Sequence, residues 1–344
     1  MNDSLAVKYR PQTFDEVIGQ DIIVKILKRQ LEINDFSHAY LFCGPSGDGK
    51  TTLARIFAKE LNHGYGSPIE MDAASNNGVD NVRAIIEDSR QRAIDAEYKV
   101  IIIDECHAIT NQGWQAFLKC IEEPSMYTVF IFCTTDPQKI PATIQNRVMR
   151  FNLSRIASNK IKNRLMYISK NENYTNYEES CDYIAKLSCG GMRDAISMLE
   201  KCAGYSKDLC ITNVIQSLGN FSFETFIDLT NALVDRNQQE VLNIIETCFN
   251  SGNDLKLFIE QYLDFVLDLN KYCLFNDISL TKIPASLEAN NTPRCIKYVV
   301  GIENNVAYFN RLMSKIFDIK NSLRYDTMPK TTISVGLIDI CRGL

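Results

Sequence analysis

The stretch that decides the fold reads Gly44-Pro45-Ser46-Gly47-Asp48-Gly49-Lys50-Thr51-Thr52. It fits Gly-x-x-x-x-Gly-Lys-Ser/Thr, the pattern of a nucleotide phosphate-binding loop. The apolar run before it, 39–43, predicts a strand, and the run after it, 52–61, predicts a helix. In that setting the backbone N–H groups of the loop and the helix N-terminus attract a phosphate. Lys50 is expected to reach the β- and γ-phosphates, and the Thr51 hydroxyl to ligate Mg²⁺.

All nine residues of this loop are therefore predicted to bind a nucleotide, with ATP and Mg²⁺ as the cofactors. The open alternative is a glycine-rich turn that binds nothing. Because every position of the motif is filled between a predicted strand and a predicted helix, the sequence favours the nucleotide loop.

The composition is that of an ordinary globular protein. The 344 residues are 45% hydrophobic and 23% charged, enough for two or three domains with large cores. The net charge of −5 gives no global sign of nucleic-acid binding, so any such contact has to come from local groups. The N-terminus is polar, and no apolar run reaches the roughly 18 residues of a membrane span. We expect a cytoplasmic protein that makes no membrane contact.

The cysteines and histidines predict no metal cluster. The twelve cysteines contain no C-x-x-C pair, and most lie in apolar runs. Buried thiols in a reducing compartment are the favoured interpretation, and neither zinc nor a disulfide is expected. The three histidines are far apart, and His107 is expected to have a packing or loop role rather than a catalytic one.

Strands alternate with helices in the first half of the chain. Apolar runs predict strands at 39–43, 69–72, 99–103, 128–133 and 148–151. Because helices separate them, a parallel sheet covered on both faces is expected. Ligands of such sheets bind at the carboxyl ends of the strands. The residues that fall there are Gly44, Asp104 and Thr135.

From about residue 154 only helices are predicted. The first three are expected at roughly 156–171, 178–188 and 192–203, and further helices include 225–235, 239–250 and 255–274. The sequence therefore predicts an α/β nucleotide-binding domain followed by two all-helical domains.

Acidic and polar residues at strand ends predict the chemistry. Asp104 can hold Mg²⁺, usually through water, and Glu105 can polarise an attacking water. Thr135 can hydrogen-bond that water or the γ-phosphate, with a turn-capping threonine as the alternative. Arg147 is either a solvated charge or a finger offered to a neighbouring subunit's γ-phosphate. Arg193 can reach the γ-phosphate from the third helix and couple the nucleotide to that helical segment.

Taken together, these residues resemble the tau/gamma subunits of the bacterial DNA polymerase III clamp loader, which are AAA+ ATPases. The resemblance covers most of the chain up to about residue 203. The matching stretches are Tyr9–Gln20, His38–Phe42, the phosphate loop, Glu70–Ser75, Ile103–His107, Leu118–Pro124, Thr134–Pro141 and Gly191–Ala195.

The resemblance implies a role for each position that matches. The three domains would be an AAA+ nucleotide-binding domain (1–153), a three-helix lid (154–213) and a helical oligomerisation collar (214–344). The adenine pocket would be bordered by Tyr9, Arg10, Pro11 and Ile18. The phosphates would be held by Gly44, Gly47, Gly49, Lys50, Thr51 and Thr52, with Asp104 and Glu105 as the Walker B pair. The remaining catalytic roles would be sensor 1 for Thr135, the trans-acting finger for Arg147 and sensor 2 for Arg193.

The resemblance also implies partners. A ring of loader subunits or of copies of this chain, five in number by analogy, would grip a sliding clamp and encircle primer–template DNA. The residues expected to face the DNA backbone are Asn77, Arg83 and Thr143. The helix 114–121 offers either a clamp-facing edge or a face that packs on the sheet.

The sequence departs from the family pattern at three points. A short connection, 63–68, stands where cellular members carry a four-cysteine zinc module, so no zinc is expected. The family's Ser-Arg-Cys is here Asn146-Arg147-Val148. The chain ends at Leu344, without the tau extension. These departures suggest the hypothesis of a streamlined subunit encoded by a phage or mobile element.

Two other functions stay open at this point. One is another AAA+ machine, such as a helicase loader or a branch-migration motor. The other is a non-catalytic scaffold subunit of a clamp loader. The Glu-Glu-Pro stretch ending at Pro124 and the Thr-Thr-Asp-Pro stretch ending at Pro137 argue against the first. The complete set of catalytic residues argues against the second.

Overall fold

Residues 4–288, 292–301 and 305–343 are described by the structure, which is a computed structural model. The described chain divides into two units. The first takes the chain up to Ile168 together with Ser188–Glu200, and the second takes Ser169–Leu187 and the chain from Lys201 onward. The domain boundaries expected near residues 153 and 213 stay a prediction.

The first unit is built on a five-stranded sheet in which every pairing is parallel. The strands are β1 (Ala39–Cys43), β2 (Ile69–Asp72), β3 (Lys99–Asp104), β4 (Thr128–Thr134) and β5 (Met149–Asn152). Their order across the sheet is β2-β3-β4-β1-β5, so β1, which leads into the phosphate loop, lies between β4 and β5. The register pairs Cys43 with Thr134 and Asp72 with Asp104, which brings the strand ends to one edge.

Successive side chains along each strand point to opposite faces of the sheet. Tyr40 and Phe42 of β1 belong to one core cluster with Leu53 and Phe57. Leu41, the residue between them, belongs to the other core cluster. Because both faces are covered, β1 and β4 are buried along their whole length and β3 along all of it except Asp104, as is typical of a parallel sheet.

Sixteen α-helices surround the sheet or follow it in the described residues. Those up to residue 145 are α1 (Leu5–Lys8), α2 (Asp21–Glu32), α3 (Lys50–Leu61), α4 (Val79–Ser89), α5 (Asn111–Glu122) and α6 (Ala142–Gln145). The next four are α7 (Ser158–Asn171), α8 (Glu178–Leu187), α9 (Met192–Tyr205) and α10 (Ile211–Leu218). The last six are α11 (Phe223–Val234), α12 (Gln238–Asn250), α13 (Leu255–Phe275), α14 (Ile296–Val299), α15 (Asn305–Ser322) and α16 (Pro329–Gly343).

Short 3₁₀ helices complete the described secondary structure. They lie at Phe14–Glu16, Cys106–Ala108, Pro137–Lys139, Ile278–Leu280, Ala285–Leu287 and Leu323–Tyr325. The second of them directly follows the predicted catalytic pair at the end of β3, so the chain turns sharply there.

The second unit is helical, and its longest helix, α13, supplies much of its core. Phe258, Tyr262 and Val266 are fully buried on α13, as are Phe309 and Leu312 on α15. The Tyr262 hydroxyl lies 3.1 Å from the Thr230 hydroxyl, so this buried polar group has a partner. A helix-covered parallel sheet followed by helices confirms the predicted fold class. Among the described residues, no helix combines the length and apolar character that crossing a membrane requires.

Helix α5 packs its large apolar side chains on the sheet. Trp114, Phe117 and Ile121 are buried in the same core cluster as Phe132 of β4. These side chains are not available to a partner, and the structure therefore favours the sheet-packing interpretation of this helix over the clamp-facing one.

Candidate nucleotide-binding site

The phosphate loop turns through two glycines with left-handed backbone conformations. Gly47 has φ 81° and Gly49 has φ 95°, values that residues with a Cβ rarely adopt. Helix α3 begins directly after Gly49, at Lys50. The N–H groups of its first turn have no partner within the helix, and together with the helix dipole they favour an anion in the loop.

Lys50 lies inside the loop and is almost completely buried. Its Nζ donates hydrogen bonds to the backbone oxygens of Gly44 (2.8 Å) and Pro45 (2.7 Å). The loop therefore holds the ammonium group at its centre, where a phosphate would sit. Two of the three N–H donors of the ammonium group thus have carbonyl partners in the loop.

Thr51 and Asp104 form the pair expected to hold Mg²⁺. The Thr51 hydroxyl donates to Asp104 Oδ2 at 2.6 Å, which joins the start of α3 to the end of β3. A hydroxyl and a carboxylate are oxygen ligands of the kind that Mg²⁺ prefers, so the donor set fits this ion. Among the described residues, no three or more His, Cys, Asp or Glu side chains converge as a metal site.

Glu105 is held by two neighbours at the end of the sheet. The Thr135 hydroxyl donates to Glu105 Oε2 at 3.1 Å, and His107 Nδ1 lies 3.3 Å from the same oxygen. His107 Nδ1 is also 3.2 Å from the Thr134 hydroxyl. Glu105 itself adopts a left-handed conformation with φ 46°, which is unusual for a side chain of this size. His107 thus contacts the predicted base directly, although the sequence placed it outside the site.

A cleft of ≈ 1060 Å³, including its open mouth, joins the loop to the predicted adenine-binding residues. Lining residues that the sequence predicted include Tyr9, Arg10, Pro11, Ile18, Ser46, Gly47, Asp48, Gly49, Lys50, Thr51, Thr52, Asp104, Glu105 and Arg193. Gly44 and Pro45 contribute through the carbonyl groups that bind Lys50. Thr135 reaches the site through Glu105.

The cleft also contains an arginine that the sequence did not identify. Arg164 lies on α7, and its Nη2 donates to the backbone oxygen of Tyr9 at 2.9 Å. Its guanidinium lies 5.3 Å from the centre of the Tyr167 ring, and the Tyr9 and Tyr167 rings make an edge contact. No sequence signal marks Arg164, because its partner Tyr9 is 155 residues away.

The loop also contacts the start of α9, which carries Arg193. The backbone N–H of Met192 donates to the Gly47 oxygen at 3.2 Å. A Cβ on Gly47 would come within 3.3 Å of the Gly191 Cα, so the two backbones approach closely at this point. Arg193 is exposed and lines the cleft, a position from which its charge can face a bound phosphate.

Asp48 is the unexpected member of the loop. Its side chain is 2% exposed, and neither carboxylate oxygen has a hydrogen-bond partner. The pKa of Asp48 is raised from 3.8 to about 6, chiefly by burial; Lys50 and Arg155 oppose the shift, and Asp194 makes a smaller contribution in the same direction as burial. Because the pKa of Asp48 is higher in the folded protein than in the unfolded chain, its protonated form stabilises the fold below pH 4. That stabilisation is lost as the pH rises through 6.

The isosteric replacement Asp48→Asn should raise the melting temperature at pH 7.5, because it removes an unpaired buried charge. The expected gain is on the order of 2 kcal/mol, from about 1.4 kcal/mol for each unit of pKa shift. The difference from the wild type should shrink as the pH falls below 6 and vanish only well below the unfolded pKa of 3.8, where Asp48 is protonated in both states. Calorimetric scans of both proteins from about pH 3 to about pH 8 measure it. Asp318→Asn, at an exposed position, is the control, and a gain independent of pH would contradict the assignment.

Besides Gly44, Pro45 and Thr135, four predicted residues are not among those that line the cleft. Arg147 lies between α6 and β5, where its Nε is 2.7 Å from Glu122 Oε1. Asn77, Arg83 and Thr143 are all exposed, as a contact to DNA would require. Arg83 lies 3.6 Å from Asp80 on the same helix, and the local charge there is therefore partly neutralised.

The cysteines take no part in the cleft. Most are buried, and Cys106 and Cys133 are completely enclosed. Burial raises the pKa of both thiols well above the usual value. The thiolate form that metals and electrophiles require is thereby disfavoured.

Relatives of known identity match this chain over most of its length. Residues 67–157 fit the profile of a family described as DNA polymerase III, delta subunit. The DNA polymerase III subunit gamma of Buchnera aphidicola subsp. Schizaphis graminum is 30% identical over 337 residues, covering 91% of this chain and 90% of that protein. The chain belongs to the DNA polymerase III tau/gamma subunit family. The tau/gamma family resemblance stated from the sequence is thus confirmed.

Tau-type members of the tau/gamma family are longer than this chain. The DNA polymerase III subunit tau of Bacillus subtilis is 36% identical over 286 residues, which are 77% of this chain and 51% of that protein. The chain therefore spans about half the length of that relative.

Solved structures agree on the fold of this tau/gamma-family chain. One structure of RuvB from Thermotoga maritima, a point variant, has a TM-score of 0.53 at 20% identity and covers 72% of this chain and 86% of its own. The Thermotoga maritima RuvB Holliday junction branch migration motor has a TM-score of 0.52 at 19% identity and covers 83% and 94%. At such identity the likeness shows the AAA+ fold alone.

Proposed function

We propose that this chain is the ATP-hydrolysing motor subunit of a DNA sliding-clamp loader. The observation that carries the proposal is the cleft of a tau/gamma-family chain in which Lys50, the Thr51–Asp104 pair and Glu105 converge. A scaffold subunit would have no need for a buried lysine and an oriented carboxylate at the same strand ends.

The contacts of these residues suggest how the site would work. Lys50 would exchange its two carbonyl partners for the phosphates, and Thr51 and Asp104 would hold Mg²⁺, which neutralises charge on the phosphate oxygens. Glu105 would accept the proton of the attacking water. Thr135, already hydrogen-bonded to Glu105, would orient that carboxylate.

Two arginines would complete the site from outside the loop. Arg193 would reach the γ-phosphate from α9, whose first residue, Met192, donates a backbone hydrogen bond to the Gly47 oxygen. Arg147 would act on the nucleotide of a neighbouring subunit, because it does not line the cleft of its own chain. Hydrolysis would then require an assembled ring.

The partners follow from this role. The ring would contain other loader subunits or copies of this chain, open the sliding clamp and place it on primer–template DNA in the cytoplasm. The exposed Asn77, Arg83 and Thr143 would track the DNA backbone without reading sequence. The domain roles of lid and collar, and the absence of zinc, belong to the same proposal.

ATP turnover of the assembled loader should rise at least several-fold when primed DNA and clamp are added together. The reason is that the ring aligns Arg147 with the neighbouring site only when it closes on DNA. Phosphate release, measured with and without each partner, tests this.

The outcomes of that measurement separate the candidate functions. Turnover indifferent to DNA and clamp would sink the loader proposal. ATP binding with no turnover above background would favour the scaffold, whereas translocation along duplex DNA without a clamp would favour another AAA+ machine.

A further inference from the structure

Arg147 is held in place by two contacts from its own chain. Its Nε lies 2.7 Å from Glu122 Oε1, and its Nη1 donates to the backbone oxygen of Thr143 at 2.8 Å. Glu122 is the last residue of α5, and Thr143 lies on α6. Two different elements thus hold one guanidinium group.

The two contacts leave one edge of the guanidinium available. Nη2 makes no hydrogen bond to any residue in the described part of the chain, and the Arg147 side chain is 40% exposed. A guanidinium is planar and rigid, so fixing Nε and Nη1 also fixes the direction in which Nη2 points. An arginine held in this way is already oriented to donate to an anion outside its own chain.

The ion pair is a poor candidate for a purely stabilising contact. Glu122 is 47% exposed and Arg147 is 40% exposed, and ion pairs at such positions contribute little to folding. The orientation of a catalytic donor, in contrast, affects the rate of hydrolysis directly, because a small displacement of the donor from its transition-state position lowers that rate severely.

We propose that Glu122 is a positioning residue that orients Arg147 toward the γ-phosphate of the neighbouring subunit. The inference rests on the proposed trans role of Arg147 and adds to it the residue that fixes the finger's geometry. Glu122 touches neither the nucleotide nor the reacting atoms, and it acts only through Arg147.

The location of Glu122 gives this contact a second consequence. Helix α5 begins at Asn111 and ends at Glu122. Its first residue lies seven positions after Asp104, the last residue of β3 and the first of the chain's own proposed catalytic pair. The finger offered to the neighbour is therefore attached to the helix that leads out of the chain's own site. A displacement of α5 would be transmitted to Arg147 through this ion pair.

The test is steady-state ATP hydrolysis by the assembled loader with primed DNA and clamp. Glu122→Ala should lower kcat about tenfold or more with KM unchanged, because the finger acts in the transition state. Glu122→Gln, which keeps the shape and one acceptor oxygen, should recover part of that loss. Glu123→Ala, at the adjacent exposed position, should leave kcat unchanged. ATP affinity and the mass of the complex should be unchanged in all three variants.

A double-mutant comparison makes the assignment specific. Arg147→Ala should slow hydrolysis, and adding Glu122→Ala to it should slow hydrolysis no further, because both changes remove the same interaction. A slow Arg147→Ala loader with a normal Glu122→Ala loader would overturn the positioning role and leave the finger intact. Additive losses would also overturn it. A normal Arg147→Ala loader would refute the trans finger itself, and the positioning role with it.

Discussion

Glu105→Gln should abolish most ATP hydrolysis while ATP still binds. The substitution is isosteric, and the amide oxygen can still accept the hydrogen bond from the Thr135 hydroxyl. The amide cannot, however, accept the proton of the attacking water. Removing a general base lowers a rate by about 10²–10⁴-fold, so kcat should fall within that range. Single-turnover hydrolysis of the assembled loader, together with nucleotide affinity, measures both halves of the expectation.

The control for Glu105→Gln is Glu60→Gln, an exposed position on α3 that should change neither quantity. Turnover retained in the Glu105 variant would mean that another group activates the water. Lost affinity would mean that Glu105 supports the nucleotide pocket rather than the chemistry. The Glu105 carboxylate accepts a hydrogen bond from Thr135 and lies beside His107. Thr135→Ala removes only one of these contacts, so it should lower the rate of hydrolysis by a smaller factor than Glu105→Gln does.

The parallel sheet could be predicted from the sequence because its central strands are all nearly continuous apolar runs. Val100 to Ile103 form an uninterrupted apolar run, which is typical of a strand covered on both faces, and the structure places all four in the core. Where the pattern is weaker the prediction is less exact. The edge strand β5 begins at Met149, one residue later than the apolar run beginning at Val148 indicates.

The centre of the site could also be predicted, because the carboxyl ends of parallel strands lie at the same edge of the sheet. Thr51 and Asp104 are 53 residues apart, yet the motif and the strand end bring their side chains within 2.6 Å. The sequence therefore predicted residues that the structure brings together at the strand ends. Their roles stay predictions until nucleotide binding and turnover are measured.

The contacts around that centre could not be predicted, because they join segments with no shared pattern. The pairing of Arg147 with Glu122 depends on how α5 and α6 pack, and that of Arg164 with Tyr9 on how α7 lies beside the N-terminal segment. Nothing in the loop pattern shows that Asp48 is buried without a partner, because burial is a property of the surrounding fold. The contact of His107 with Glu105 likewise depends on how the chain turns after β3.

Lys50→Ala should remove ATP binding and, with it, turnover. Lys50 Nζ is buried in the loop and hydrogen-bonded to two carbonyl oxygens, so a phosphate would meet a positive charge that is already in place. Truncating one partner of a buried, hydrogen-bonded charge pair removes about 2–5 kcal/mol, which corresponds to an affinity loss of about 30-fold to several thousand-fold. Nucleotide affinity and the shift of melting temperature on adding Mg²⁺-ATP measure it.

Lys50→Met separates the charge from the packing of the side chain. Methionine keeps most of the buried stem but has no ammonium group, so it should lose nucleotide binding as alanine does while keeping a melting temperature closer to that of the wild type. Lys59→Ala, at an exposed position on the same helix, should bind ATP normally. If Lys50→Met still bound ATP, the loop would hold phosphate through its backbone N–H groups alone. A loss shared by alanine and methionine, but not by the Lys59 variant, assigns the binding energy to the single charge at the centre of the loop.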